Sequence, residues 1–370
     1  MATTRIGLIG AGLIGCTHAA VLQQISTAFP GRIEFSGVAD PDAAARERAV
    51  SLFGFKQAFA DGHDLLDRVP LEAVFVCSPT AFHAEFVVHA AQRGTAIFCE
   101  KPLAMSCVEG ARMLEAVERY GVPHQIGLVL RFSAVYTVMR AMMREEALGE
   151  PMAVIFRDDQ VFPIRGIHHT PWRADRTLTA GGTLIEHGVH DLDLLTWLFG
   201  SPSRLQAWVR NLAGHPGIED YVAVELWFPN GLQAQLVNVW HDMVQRPSNR
   251  RLEIFCRRGF LASDADFLGP LQWQLGDGPE TTMPDTEVLQ RFCSIAAVEP
   301  PALKEFAGVA YLMQDLAFLT ALWTKTRPSP GIEVGLQAQR LAEAAYLSAR
   351  CGEPVDLPVP PTGELCRSSR

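Results

Sequence analysis

The sequence lacks any run of about 18 uncharged apolar residues, so no segment reads as a membrane-spanning helix. It opens MATTRIGLIGAG, without the long apolar region and small-residue cleavage site of a secretory signal. None of its eight cysteines, at 16, 77, 99, 107, 256, 293, 351 and 366, forms a CxxC. In a chain of 370 residues they read as reduced thiols of a cytoplasmic protein rather than a disulfide framework. Basic residues are in deficit: 32 Lys and Arg against 41 Asp and Glu, a net charge of −9. That excludes the clustered positive surface a nucleic-acid partner needs, and it disfavours docking on anionic membranes. There is no internal repeat. Hydrophobic residues make up 48% of the chain, enough for sizeable cores. At roughly 150 residues per domain the length suggests two.

The first 125 residues alternate short apolar runs with helical patterns, the signature of βαβ units around a parallel sheet. RIGLIG, IEFSGVAD, AVFVCS, AIFCE and HQIGLVL read as strands, and helices lie between them. AVFVCS shows no polar alternation, as expected of a strand covered on both faces. Beyond about residue 150 the pattern changes. YVAVELWF (221–228) alternates, and LQAQLVNVW follows across Pro229-Asn230-Gly231, where Asn-Gly signals a hairpin. RLEIFCRRGFLAS suggests another, and helices return at 303–325 and 334–350. The expected fold is an α/β Rossmann domain over 1–125, then an α+β domain over 126–355 with a mainly antiparallel sheet, and a flexible tail over 356–370. Trp208, Trp227 and Trp240 lie in or near its strands. They are either ordinary core or, on an uncovered sheet face, an apolar interface.

Gly10-Ala11-Gly12-Leu13-Ile14-Gly15 is a GxGxxG set directly after a strand and at the start of a helix. That context fits dinucleotide binding. The first glycine makes the tight turn, the second admits a pyrophosphate and the third lets helix and strand pack closely. The helix N-terminus offers N–H groups and partial positive charge to phosphates. Asp40 closes the second strand, where an acid accepts the adenosine ribose hydroxyls, and Asp42 follows. Two carboxylates repel a 2′-phosphate, so NAD is expected rather than NADP. Downstream, AIFCEKPLAM sends a buried strand into Glu100-Lys101-Pro102. Ligands of open α/β sheets bind outside the carboxyl ends of the strands, so Lys101 is placed to face the nicotinamide end of the cofactor.

GGTLIEHGVHDLD (181–193) gathers Glu186, His187, His190, Asp191 and Asp193 within eight positions. One reading is a zinc site, with His187, His190 and the upstream His168 and His169 as ligands. A metal-dependent hydrolase, however, has no need of the dinucleotide apparatus, and no metal is expected. The other reading is a proton relay. Oxidation of an alcohol removes the hydroxyl proton as well as a hydride, and an imidazole near neutrality suits the base. A lysine beside the same oxygen steadies the developing alkoxide. Glu186 and His190, four apart, share a face of a helix starting near Leu184. His187 points away and reads as an interior histidine.

GxGxxG (10–15), Asp40, SPTAFH (78–83), EKP (100–102) and GGTLIEHGVHDLD occur in order. In this combination the chain resembles the Gfo/Idh/MocA family of NAD(P)-dependent oxidoreductases over nearly its whole length. The resemblance implies a Rossmann domain followed by a domain with an open-faced sheet, through which relatives commonly form homodimers or homotetramers. It implies a cis peptide before Pro102, Lys101 and His190 as catalytic residues, and Glu186 where the family usually has Asp. It also implies cofactor contacts from Ser78, Pro79, Thr80, His83, Glu100 and, in a Trp172-Arg173 pair, Arg173. Asp193 is read as structural, and Arg131 as able to reach substrate. The expected activity is NAD-dependent hydride transfer to or from a secondary alcohol or ketone of a sugar, cyclitol or similar polyol. Two alternatives stay open: redox-neutral elimination of a glycosidic substituent on tightly bound NAD, and a non-catalytic NAD-binding regulator.

Overall fold

The computed structural model describes residues 3–166, 170–297 and 308–359. His168, His169 and the tail from 360 lie outside the described residues. The chain forms two compact units. Residues up to Leu128, with Thr177–Ala180 and Tyr311–Gln339, make the first; Val129–Arg176, Gly181–Ala310 and the residues from Arg340 on make the second.

The first unit is built on β1 (Thr4–Ile9), β2 (Ile33–Ala39), β3 (Ala58–Phe59), β4 (Ala73–Val76), β5 (Ala96–Cys99) and β6 (His124–Ile126). All pairs are parallel, in the order β3-β2-β1-β4-β5-β6. The connecting helices are α1 (Leu13–Ala28), α2 (Ala43–Phe53), α3 (Gly62–Arg68), α4 (His83–Gln92) and α5 (Cys107–Tyr120). Local chemistry sets their ends. Asp42, Asp61 and Ser106 cap α2, α3 and α5 through side-chain oxygens, and Gly54 and Gly121 end α2 and α5 in the left-handed region. HQIGLVL stays a strand only as far as Ile126, and Val129–Phe132 is a 3-10 turn. Gly127 lies against the Glu100 carboxyl, where a Cβ would come within 2.4 Å of Oε1.

Both faces of this sheet are buried. Ile6, Leu8, Phe75 and Phe98 pack on one side with Phe318 and Leu319. Ile9, Val74, Val76 and Ile97 pack on the other with Ile332 and Leu336. A single boundary near residue 125 therefore does not describe the division. A parallel sheet needs helices on both faces, and residues 311–339 supply part of that cover.

In the second unit α6 (Ala134–Met143) leads into β7 (Pro151–Val161), and α7 (Val189–Phe199) follows. Then come β8 (Arg204–Arg210), β9 (Tyr221–Trp227), β10 (Gln233–His241), β11 (Asn249–Cys256), β12 (Gly259–Ser263), β13 (Leu271–Leu275) and β14 (Thr281–Met283). The chain continues through α8 (Asp285–Ala296), α9 (Gly308–Thr324), α10 (Ile332–Cys351) and β15 (Val355–Asp356). The sheet runs β14-β13-β12-β11-β7-β10-β9-β8-β15 and is antiparallel except where β10 lies parallel to β7. The hairpins expected at Asn230-Gly231 and across residues 251–263 are both present, with Gly231 at φ 88.

Strand alternation separates the tryptophans. Trp208 stands opposite Ala223 and Trp227 opposite Arg204, on a face that also shows Ile155 and Phe255 to solvent. Trp240 points to the other face, buried against Phe162 with ring centroids 4.9 Å apart. The three rings therefore do not form one patch. The cysteines need a correction too. Cys16, Cys77, Cys99 and Cys256 are free, but Cys351 is disulfide-bonded. It sits half-exposed at the end of α10.

Candidate functional site

In the first unit the glycine loop behaves as its spacing predicts. Gly10 has φ 92, and a Cβ there would strike the Cys77 backbone at 2.6 Å. A Cβ on Gly15 would lie 1.9 Å from the Gly10 carbonyl oxygen, so the first turn of α1 packs directly on the loop. At Gly12 a Cβ would meet nothing within 4 Å. Gly12 is also the N-cap of α1, and no side chain caps that end. The loop thus presents a helix N-terminus with open space before it, the cradle a pyrophosphate fits. Leu13 is exposed beside it and Ile14 half-buried. The Asp40 carboxylate is aimed back over this loop. Its Oδ2 accepts the Ala11 N–H at 2.7 Å and its Oδ1 the Asp42 N–H at 2.9 Å.

Ser78 and Pro79 follow β4, and Thr80–Phe82 is a 3-10 turn with Thr80 buried. His83 is buried as well. Its ring nitrogens lie 2.8 Å from the carbonyl oxygens of Ser78 and Pro102. It clamps this loop to the segment after β5. The Lys101–Pro102 peptide is cis. Glu100 likewise points inward, its carboxylate bonded to His18 and to the Lys101 backbone N–H. Lys101 alone of the EKP triplet is half-exposed, at the carboxyl edge of the sheet.

The second unit gathers Glu186, His190 and Arg173. Gly182 abuts the segment just before β9: a Cβ on it would lie 1.9 Å from the Glu219 carbonyl oxygen. The buried Glu219 carboxylate accepts the N–H groups of Gly182 and Leu184 at 2.7 and 3.0 Å, and the Tyr346 hydroxyl at 2.7 Å. Burial raises its pKa despite those donors. Leu184–Gly188 is a wide π-helical turn, and the α-helix starts only at Val189. The expected regular helix from Leu184 is therefore corrected, with Glu186 in the wide turn and His190 in the first turn of α7. Both are buried. The Arg173 guanidinium stacks 4.8 Å from the Trp172 ring and lies 3.4 Å from Glu186.

The neighbouring polar residues take structural partners. Arg131 grips Asp193 through two bonds of 2.7 and 2.8 Å, so its side chain is committed inside the unit and not extended to a ligand. His187 has Nδ1 2.9 Å from Asp158 and Nε2 2.8 Å from the Arg250 guanidinium. Asp191 is buried, bonded to Arg250 at 2.7 Å and Asn238 at 2.6 Å. Burial raises Asp158 to about 6, and raises Asp191 well above the carboxylate range, even with Arg250 between them. Sequence reading missed Asp158, Glu219, Asn238 and Arg250. Their one signal was a polar or charged residue in or beside strand patterns, as in FRDDQV, which names no partner. Among the described residues no group of three or more His, Cys, Asp or Glu could hold a metal.

Comparison with known proteins agrees with this geometry. Residues 4–128 match the model of an oxidoreductase family with an NAD-binding Rossmann fold, and residues 136–262 match the GFO/IDH/MocA C-terminal domain. An uncharacterized oxidoreductase, YrbE, of Bacillus subtilis is 27% identical over 95% of this chain and 96% of its own. An inositol 2-dehydrogenase of Leifsonia xyli is 33% identical over 54% of each chain. Among solved structures, an oxidoreductase domain protein from Kribbella flavida covers 97% of this chain and all of its own, with a TM-score of 0.84 and 22% identity. A levoglucosan dehydrogenase in complex with NADH and levoglucosan covers 96% of this chain and all of its own, with a TM-score of 0.84 and 21% identity. The chain belongs to the Gfo/Idh/MocA family and is an oxidoreductase that uses NAD.

Proposed function

We propose that this member of the family moves a hydride between NAD and a secondary alcohol or ketone of a sugar, cyclitol or related polyol, with Lys101 and His190 as its acid/base pair. The observation that carries the reading is the retention of both reactive groups in built surroundings. Lys101 follows a buried strand whose preceding carboxylate is anchored, and His190 follows a wide turn whose start is anchored by Glu219. The relatives named inositol 2-dehydrogenase and levoglucosan dehydrogenase support the substrate class.

When bound, NAD supplies the hydride acceptor. In the oxidative direction the carbinol C–H bond breaks with its electron pair leaving as hydride, the O–H proton passes to His190, and a ketone remains. Lys101 holds the oxygen and offsets its developing charge. In the reductive direction both groups act as acids. Glu186 orients the imidazole or binds a neighbouring hydroxyl. Asp40 repels a 2′-phosphate and so favours NAD over NADP.

The test is NADH formation across a panel of inositols, aldoses and anhydrosugars, after a thermal-shift screen of the same compounds with NAD present. Turnover of one or more polyols is expected; no turnover and no NAD-dependent stabilisation across the panel would sink the reading. The uncovered sheet face bearing Trp208, Ile155 and Phe255 supports a homodimer or homotetramer, which sedimentation tests directly.

A further inference from the structure

Beneath the strand end that carries Lys101 lies a buried chain of three titratable side chains drawn from distant parts of the sequence. His18, on α1, is fully buried. Its Nδ1 lies 2.8 and 3.0 Å from the two carboxylate oxygens of Asp315 on α9, and its Nε2 lies 3.1 Å from Oε1 of Glu100. The second Glu100 oxygen accepts the backbone N–H of Lys101 at 3.1 Å. A neutral imidazole carries one N–H, yet both ring nitrogens here face carboxylates, which only accept. The geometry therefore calls for an imidazolium.

The energetics agree with the geometry. Burial by itself disfavours the charged ring, but Asp315 and then Glu100 outweigh it and push His18 up to about 10. Burial also pushes Glu100 up, yet the bond from His18 and the charges of His18 and Lys101 leave it below the usual carboxylate range. Asp315 is raised by burial. The rings of Phe75, Phe98 and Tyr311 pack against the imidazole, and burial keeps the thiols of Cys77 and Cys99, which sense Glu100, protonated. Gln314 lies beside Asp315. The Glu100 carboxylate has little room to move, because Gly127 packs where any Cβ would strike it.

We infer that His18 is a positioning residue for hydride transfer: it holds Glu100 as a buried carboxylate that anchors the Lys101 backbone and keeps the Lys101 ammonium charged. The inference rests on the catalytic role proposed above for Lys101. Removing the imidazolium leaves two buried carboxylates without their cation, and burial then drives them to take up protons. Lys101 loses the negative charge beside it, and its ammonium deprotonates at lower pH.

Two measurements test this. In the wild-type protein, nitrogen NMR of labelled histidine is expected to show both His18 ring nitrogens protonated at pH 8; a neutral His18 there overturns the inference. In His18→Gln, the pH midpoint for acylation of the Lys101 amine, read by peptide mass spectrometry, is expected to fall by about one unit. The same variant should lose kcat with little change in KM for NAD. An unchanged Lys101 midpoint in folded His18→Gln also overturns it. If that variant does not fold, Asp315→Asn keeps the imidazole and weakens its charge, and its Lys101 midpoint must move the same way. The acylation readout needs no turnover. If Lys101→Ala keeps full activity, the catalytic reading fails, while the His18–Glu100–Lys101 coupling is judged on acylation alone.

Discussion

Lys101, His190 and Glu186 are separable by kinetics. Lys101→Ala removes the proposed acid/base group without touching the glycine loop. Its kcat is expected to fall by about 10²–10⁴-fold, with NAD affinity by fluorescence titration nearly unchanged; loss of NAD binding instead would assign Lys101 to the cofactor site. Glu186 lies only 3.4 Å from Arg173. Glu186→Asp withdraws the carboxylate by one methylene, so the ion pair should open. In a double-mutant cycle with Arg173→Ala, the double variant should then be no less active than the worse single variant; fully additive losses would show that the two side chains act separately. At this scale the sequence singled out Lys101, Glu186 and His190 as a set to test, because motif spacing sets which strand end or helix turn they occupy. The same reading took Glu100 and His83 as cofactor contacts and Arg131 as able to reach substrate. In the structure these side chains are turned inward, and the direction of a side chain depends on partners that local spacing does not reveal.

Two glycine substitutions at the element scale should have opposite signatures. A Cβ at Gly182 would meet the Glu219 carbonyl oxygen at 1.9 Å. Gly182→Ala must push the segment leading into the π-helical turn away from the Glu219 backbone, and a loss of about 1–3 kcal/mol in denaturant unfolding is expected. A Cβ at Gly12 meets nothing in the protein. Gly12→Ala should leave apo stability within about 0.5 kcal/mol while weakening NAD binding, because the methyl occupies space kept for the cofactor. A stable Gly182→Ala or an unstable Gly12→Ala would contradict the packing described. The GxGxxG roles were legible because each is a local steric demand. The widened turn at 184–188 was not, because it depends on Glu219, a residue 37 positions from Gly182 that accepts its N–H.

For the molecule as a whole, His18 predicts a pH dependence. Its folded pKa is about 10 against a reference of 6.5. A group whose pKa rises on folding contributes stability that is complete below its unfolded value and is lost as pH climbs through the folded one. The wild-type advantage in melting temperature over His18→Gln should therefore be largest below pH 6.5 and shrink towards pH 10. An advantage that grows with pH would contradict the buried imidazolium. Trp208→Glu places a charge on the uncovered sheet face and should shift any oligomer towards monomer in sedimentation without lowering monomer stability.

The sequence by itself determined the parallel sheet, the dinucleotide loop and its acid, and the two hairpins. Each follows from near neighbours: apolar alternation, a glycine whose Cβ has no room, or a polar residue at the end of a strand. Only the tertiary structure decided which charges meet. His18 finds Asp315 across 297 positions, Gly182 finds Glu219 across 37, and Arg250 finds Asp158 and Asp191 across 92 and 59. It also decided that residues 311–339 return to cover the first sheet. A buried charge needs a partner wherever the fold can bring one. The sequence announces that need, but the partner's identity depends on the path of the whole chain.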